Sequence, residues 1–353
     1  MDGEAFRREQ DRLGRVWTFL ALTAELARDG DWVRRTLGGR SVFVQRSGTE
    51  IAAFENVCPH RFHPLRTAEQ GNGPILCGFH HWKYDGEGHA VDVPLCLELY
   101  GKTPREMSVR LRRLETATCG GLIFGRFAGG DGESLETYLA GSAPILAAMT
   151  AEPGRPLQRL ERIVEANWRL MVSITLDDYH IVAVHGRKSH MRPDQFRTWR
   201  FGRHSAYVIG EPEQTLQSMA AQCVDGSYRP RDYRILNIFP NLAVSLFNTR
   251  PYWYANIQQF EPLAPGRTRW RSWFHPTPLA AAETPLQRLT RPLFDPMRNL
   301  LVRRGVHRVG EEDHRTCEHQ QEVAHQAGPR PLLGRQEERV GWFLESYDGA
   351  VAG

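Results

Sequence analysis

Lysine is nearly missing from this 353-residue chain: Lys83, Lys102 and Lys188 are the only three among 45 basic residues. Also missing are a G-x-G-x-x-G loop and a phosphate-binding G-x-x-x-x-G-K-[S/T] motif, the glycine-rich patterns that cradle dinucleotides and nucleotide phosphates. The expectation is that the chain binds neither NADH nor flavin itself. No apolar run reaches the roughly 18 residues a membrane-spanning helix needs. The opening MDGEAFRREQDR carries charges where a secretory leader needs an apolar core. A cytoplasmic protein without membrane association is therefore expected. Net charge is only +4, from 45 basic and 41 acidic residues that intermix without a long basic run, which argues against a nucleic-acid partner.

An apolar content of 41% and a charged content of 24% exclude a disordered or collagen-like chain. At about 150 residues per domain, two or three domains are expected, with cores that need no disulfide staples. The six cysteines, Cys58, Cys77, Cys96, Cys119, Cys223 and Cys317, should be reduced in a cytoplasmic protein, so paired spacings point to metal.

Residues 5–28 read as a charged helical lead-in with an apolar patch at Trp17, Phe19 and Leu20. From 31 to 127, short strands alternate with glycine-rich breaks; Ser41–Gln45 and Met107–Leu111 alternate as strands do. The break AGGDGE at 128–133 marks a boundary. The expected division is a lead-in at 1–30, an all-β domain at 31–130 and a larger domain at 134–353. In the last, Ser134–Met149, with Ser134 as N-cap, and Asn167–His180 read as helices. The segments 206–210, 216–221, 233–239, 242–248, 252–261 and 268–274 read as strands. A helical stretch over about 283–325, broken near Pro292 and Gly305, completes an α+β pattern around an antiparallel sheet.

Two short motifs carry metal chemistry. Residues 58–60 are Cys-Pro-His and residues 77–80 are Cys-Gly-Phe-His. Each tight loop offers one thiolate and one imidazole, and two such loops face to face grip a two-iron cluster. Two Cys on one iron and two His on the other is the Rieske [2Fe–2S] ligand set. A Cys₂His₂ zinc site is the alternative, although zinc fingers pair Cys with Cys and His with His. His81 beside His80 and His63 beyond the first loop are read as surface or packing residues.

The second motif is Asp177-x-x-His180-x₄-His185 in NWRLMVSITLDDYHIVAVH. On a helix, Asp177 and His180 share a face. Two His and one carboxylate form the facial triad that leaves positions open on non-haem Fe(II). The carboxylate is sought in Glu311-Glu312-Asp313. A solvated helix face bearing two ordinary histidines is the competing reading.

The segment CPHRFHPL … CGFHHWKYDGEGHAVDVP resembles the Rieske domain of Rieske non-haem iron oxygenases, and Trp82 and the Asp85-Gly86 turn fit that family. His81 stands where a Gly is common. The resemblance, over roughly 15–325, implies an all-β Rieske [2Fe-2S] domain and a helix-grip (START-like) catalytic domain with an antiparallel sheet. It implies Cys58, His60, Cys77 and His80 as cluster ligands. His180, His185 and Asp313 would be ligands to a mononuclear Fe(II), with Glu312 as the fallback. Asp177 would be the acid that links His80 of one subunit to His180 of the next, with Asp178 as the alternative; a carboxylate there accepts a hydrogen bond from each imidazole. It further implies O₂ as co-substrate, NAD(P)H used indirectly through a separate reductase with or without a ferredoxin, a homotrimer with or without a β-subunit, and a small organic, aromatic substrate. The chain's size favours monooxygenation or demethylation over ring cis-dihydroxylation. An electron carrier with no working catalytic iron remains the alternative. Phe239, Phe247, Trp253, Tyr254, Trp270 and Phe274 are read as core.

Overall fold

The computed structural model describes residues 3–130, 132–151, 158–186, 196–211, 213–248, 253–277, 279, 285–328 and 330–352. The chain divides into two compact units, Arg7–Leu135 and Met1–Phe6 with Glu136–Gly353.

The first unit holds α1 (Gly3–Leu13) from Arg7 onward, β1 (Thr18–Leu22), β2 (Asp31–Leu37), β3 (Arg40–Ser47), β4 (Glu50–Glu55), β5 (Gln70–Asn72), β6 (Ile75–Leu76), β7 (Lys83–Tyr84), β8 (Ala90–Asp92), α2 (Cys96–Tyr100), α3 (Pro104–Met107), β9 (Glu115–Cys119) and β10 (Leu122–Arg126). They form antiparallel sheets ordered β4-β3-β2-β5, β1-β10-β9 and β6-β7-β8. The two-residue turn between β2 and β3 is Gly38-Gly39, both left-handed (φ +54° and +72°), the backbone that matches strand twist. Strand β3 is buried on both faces. Val42 and Val44 pack with Leu20, Val33 and Ile123, whereas Phe43 packs with Phe54, Trp82 and Tyr84 around Cys58 and Cys77.

The second unit comprises α4 (Leu135–Tyr138), α5 (Ala143–Thr150), β11 (Gln158–Val164), α6 (Trp168–Ser173), α7 (His180–His185), β12 (Phe196–Phe201), β13 (His204–Ile209), α8 (Leu216–Val224), β14 (Arg234–Ile238), β15 (Leu242–Asn248), β16 (Trp253–Ala264), β17 (Arg267–Pro276), α9 (Pro285–Glu322) and α10 (Glu338–Val351). Seven antiparallel strands run β11-β17-β16-β15-β14-β13-β12. Helix α6 packs on β16, β17 and the long helix α9. The aromatic residues Phe239, Trp253, Tyr254, Trp270 and Phe274 are buried, and Phe247, Tyr254 and Phe274 stack at centroid separations of 5.0–5.9 Å.

Several local expectations change. The lead-in helix ends at Leu13, and Thr18–Leu22 is a strand whose five residues are all buried against β10. An apolar TFLAL run gains more as a core strand than as an exposed helix turn. Pro104–Met107 is a helical turn closed by a Thr103–Glu106 capping box, and of Met107–Leu111 only Arg110 forms an isolated bridge, to His89. Leu216–Val224 is a helix because Thr215 and Ser218 cap it reciprocally. The helix expected over 134–149 is split into α4 and α5 at Ala140 and Gly141, both at positive φ. Helix α9 runs unbroken past Pro292 and Gly305; residues 252 and 283–284 lie outside the described set. No described helix is long and apolar enough to cross a membrane.

Candidate metal centres

The two Cys-His loops lie in the first unit, one between β4 and β5 and the other between β6 and β7. Cys58 and Cys77 are buried. Cys58 N–H donates to His63 O and its O accepts from Phe62 N–H, while Cys77 N–H donates to Trp82 O and its O accepts from His81 N–H. Each loop is thereby closed by its own backbone. Phe62 (φ +59°) and His81 (φ +57°) sit at these turns in the left-handed region, which explains why glycine is favoured at such a position. The His60 and His80 rings approach to 4.7 Å between centroids. Trp82 lies flat on His60 at 4.7 Å and 6°. Tyr84 Oη is 3.1 Å from Cys58 Sγ. Burial, with the neighbouring Cys77, pushes the Cys58 thiol up against the lowering bond from Tyr84. Buried His80 Nδ1 has no hydrogen-bond partner, so a metal there would supply what the protein does not.

One four-coordinate zinc would hold its donors within roughly 3–4 Å of one another. Among the described residues, the one set of three or more His, Cys, Asp or Glu donors within 4.8 Å of each other is His180, His185 and Asp313. The Cys58, His60, Cys77 and His80 donors form no such single-metal set, but their types suit a two-iron cluster.

The second centre is assembled from α7 and α9. Asn167 caps α6 through Arg169 N–H (2.9 Å) and its own N–H donates to Gln321 Oε1 (2.8 Å), tying α6 to α9. Helix α6 stops at Ser173, so the single helix expected over 167–180 is interrupted, and Asp177 lies before α7 rather than on a shared helix face with His180. Asp177 Oδ1 instead accepts from Tyr179 N–H (2.7 Å) and His180 N–H (3.3 Å), a local bond that competes with helix continuation and starts α7 afresh. Gly186 (φ +66°) ends α7 just past His185.

Both imidazoles are oriented through Nδ1. His180 Nδ1 bonds the Asp177 carbonyl, and His185 Nδ1 donates to Glu312 Oε2 at 2.7 Å. Arg308 Nε holds the other Glu312 oxygen at 2.8 Å. Each Nε2 therefore faces Asp313 Oδ1, at 3.5 Å from His180 and 3.0 Å from His185. With both Nδ1 atoms protonated, these nitrogens are acceptors, and buried Asp313 Oδ1 lacks a donor. Two acceptor nitrogens and an orphaned carboxylate oxygen make a cation site, and the outer bonds are those that set the tautomer of metal-binding histidines. Burial opposes charge on all three groups, but a proton placed on either Nε2 would be held by Asp313, and that attraction raises both histidines above, and lowers Asp313 below, their ordinary values; a cation would take the proton's place.

Asp177 and Asp178 separate in role. Asp178 is buried and meets Arg339 Nη1 at 2.9 Å; burial pushes it up to about 6 despite that bond. Arg339 is also buried and reaches Thr175 O and Asn237 Oδ1. Burial also raises Asp177, whose side chain stays partly exposed and 3.8 Å from His180 Nδ1. Sequence reasoning missed Arg339, Glu312 as an orienting partner and Tyr84. Tyr84, two residues past Trp82, and Glu312, beside Asp313, lay near a motif; Arg339 did not.

The fold and donor sets define a Rieske oxygenase α-subunit. Residues 16–101 match the Rieske [2Fe-2S] domain and residues 142–353 the ring hydroxylating alpha subunit catalytic domain, and the chain belongs to that family, whose members are non-haem iron oxygenases. It is similar to the anthranilate 1,2-dioxygenase large subunit of Burkholderia cepacia (30% identity over 190 residues, 51% of this chain and 45% of that protein). It is also similar to the N,N-dimethyl phenylurea N-demethylase subunit alpha of a Sphingobium strain (31% over 193 residues, 52% and 42%). These matches span less than half of the relatives' length. In three dimensions it resembles naphthalene 1,2-dioxygenase from Rhodococcus sp. bound to indole (TM-score 0.74, 21% identity, 99% of this chain and 92% of that one). It likewise resembles a quaternary ammonium Rieske monooxygenase in complex with L-carnitine (TM-score 0.72, 18% identity, 99% and 92%).

Proposed function

We propose that this chain is the terminal oxygenase of a multicomponent system, hydroxylating, demethylating or dihydroxylating a small, aromatic organic substrate. The observation that carries the reading is the meeting of His180, His185 and Asp313 donors within 4.8 Å in a chain that also bears two Cys-His loops.

In this reading Cys58, His60, Cys77 and His80 hold a Rieske cluster, and His180, His185 and Asp313 hold Fe(II). The bound iron centres together supply one-electron transfer and O₂ activation. The chain's own residues keep that chemistry in register. Glu312 and the Asp177 carbonyl fix the two iron-facing imidazoles in one tautomer. The Asp177 carbonyl accepts the His180 Nδ1–H, and its carboxylate, 3.8 Å from that nitrogen, couples it in a homotrimer to His80 of a neighbouring copy. A similar fold (TM-score 0.71, 17% identity) is described with inter-subunit electron transfer. Electrons come from NAD(P)H through a separate reductase, with or without a ferredoxin.

The test is iron and acid-labile sulfide per chain in anaerobically purified protein, with O₂ uptake driven by a surrogate reductase. About three irons and two sulfides are expected. About two irons and two sulfides, unchanged by added Fe(II), would leave an electron carrier; zinc without sulfide would overturn the cluster.

A further inference from the structure

Helix α2 ends at Tyr100, where Gly101 (φ +64°) turns the chain back and donates to Leu97 O. That turn brings the Tyr100 hydroxyl to 3.3 Å from His60 Nε2. The phenol ring stands edge-on to Trp82 (5.9 Å, 90°) and to His60 (6.5 Å, 84°). Trp82 covers the flat face of the same imidazole. His60 is thus held on its face and at its outer nitrogen by residues of its own chain. With Nε2 turned to Tyr100, Nδ1 is the nitrogen left for a metal, and Nε2 then carries the proton. His80 is treated differently: among the described residues its ring makes no hydrogen bond, and its Nδ1 is buried without a partner.

We propose that Tyr100 is a positioning residue for His60: its phenol oxygen accepts the Nε2–H, locks the imidazole against Trp82 and sets the reduction potential of the cluster. The inference rests on the reading that the two Cys-His loops hold a Rieske cluster. An accepted hydrogen bond shifts electron density into the ring and makes it a stronger donor to iron. A more electron-rich cluster is harder to reduce, since hydrogen bonding around the cluster and its ligands sets its potential. One electron enters on reduction, supplied by the reductase, and the Nε2–H bond stays intact. The arrangement also makes the histidines unequal. His60 is satisfied within the chain, whereas His80 keeps its edge for an outside acceptor.

The experiment is an anaerobic spectroelectrochemical titration of iron-loaded Tyr100→Phe, with the electron paramagnetic resonance spectrum of the reduced cluster. Iron and sulfide should match wild type, the midpoint should move to a more positive potential, and the g-values should change. Leu97→Ala, at an exposed residue of the same helix, should leave both unchanged. A ring-fluorinated tyrosine at position 100, a weaker acceptor, should move the potential the same way by less, and decides the matter if the phenylalanine variant loses its cluster. A wild-type potential and spectrum in both Tyr100 variants, or an equal shift in Leu97→Ala, overturns the proposal. Wild-type protein without labile sulfide and without a reduced-cluster signal instead overturns the cluster assignment beneath it.

Discussion

At the residue scale, the proposed iron site separates groups that would face the cation from groups that aim them. Asp313 Oδ1 faces both Nε2 atoms, while Glu312 reaches only the far side of His185. Asp313→Ala should empty the mononuclear site. Glu312→Gln should weaken iron there about 10–100-fold, with labile sulfide unchanged in both; equal loss in the two variants would erase the distinction. The adjacent aspartates also divide. Asp177→Asn should keep both metal contents and lose turnover. Asp178→Asn strands buried Arg339 and should cost about 3–5 kcal/mol of stability, as breaking buried ion pairs does. Urea unfolding with iron analysis separates the two, and a stable Asp178 variant would discard the assignment. The motif histidines were legible because they lie within one short segment. Glu312 is 127 residues from His185 and Arg339 is 161 from Asp178, and nothing local marks either pairing.

At the element scale, short ties fix where helices and strands stop. His204 opens β13; its Nε2–H donates to Tyr138 O at 2.7 Å, and its Nδ1 accepts from Phe239 N–H at 3.0 Å. It joins the end of α4 to the end of β14 as a neutral ring. Burial lowers its pKa from 6.5 to about 4. The folded state thus binds the proton less readily than the unfolded chain. Stability from this group is whole above pH 6.5 and falls as pH drops toward 4, by about 3 kcal/mol across the window. His314, also lowered to about 4 by burial, acts in the same direction. Denaturant midpoints measured from pH 7 to 4 should decline, and more gently in His204→Gln; parallel curves would refute the tie. Most β14–β17 segments were readable from periodicity. Helix α8 was not, because the Thr215–Ser218 cap outweighs the strand-like alternation of its residues.

At the scale of the whole molecule, a trimer that passes electrons between subunits predicts complementation. Cys77→Ser would remove a proposed cluster ligand and Asp313→Ala a proposed iron ligand. Each homotrimer should be inactive with a surrogate reductase, whereas co-expressed, co-purified mixtures should recover part of the O₂ uptake. An inactive mixture shown by mass to contain both chains, or a wild type that runs as a monomer in light scattering, would refute inter-subunit transfer.

The sequence by itself determined the two Cys-His loops, the order of an all-β domain before an α+β domain, and the paired histidines of α7. All of these are encoded by residues a few positions apart, where turn geometry and periodicity act directly. Asp313 came from the sequence only through family resemblance. Tertiary structure decided which oxygen of the acidic cluster faces both imidazoles, which aspartate is sequestered by Arg339, and that Tyr100 reaches His60. Those choices depend on how α9, α10 and α2 are placed by packing, and burial then makes each polar group take the partner that packing leaves within reach.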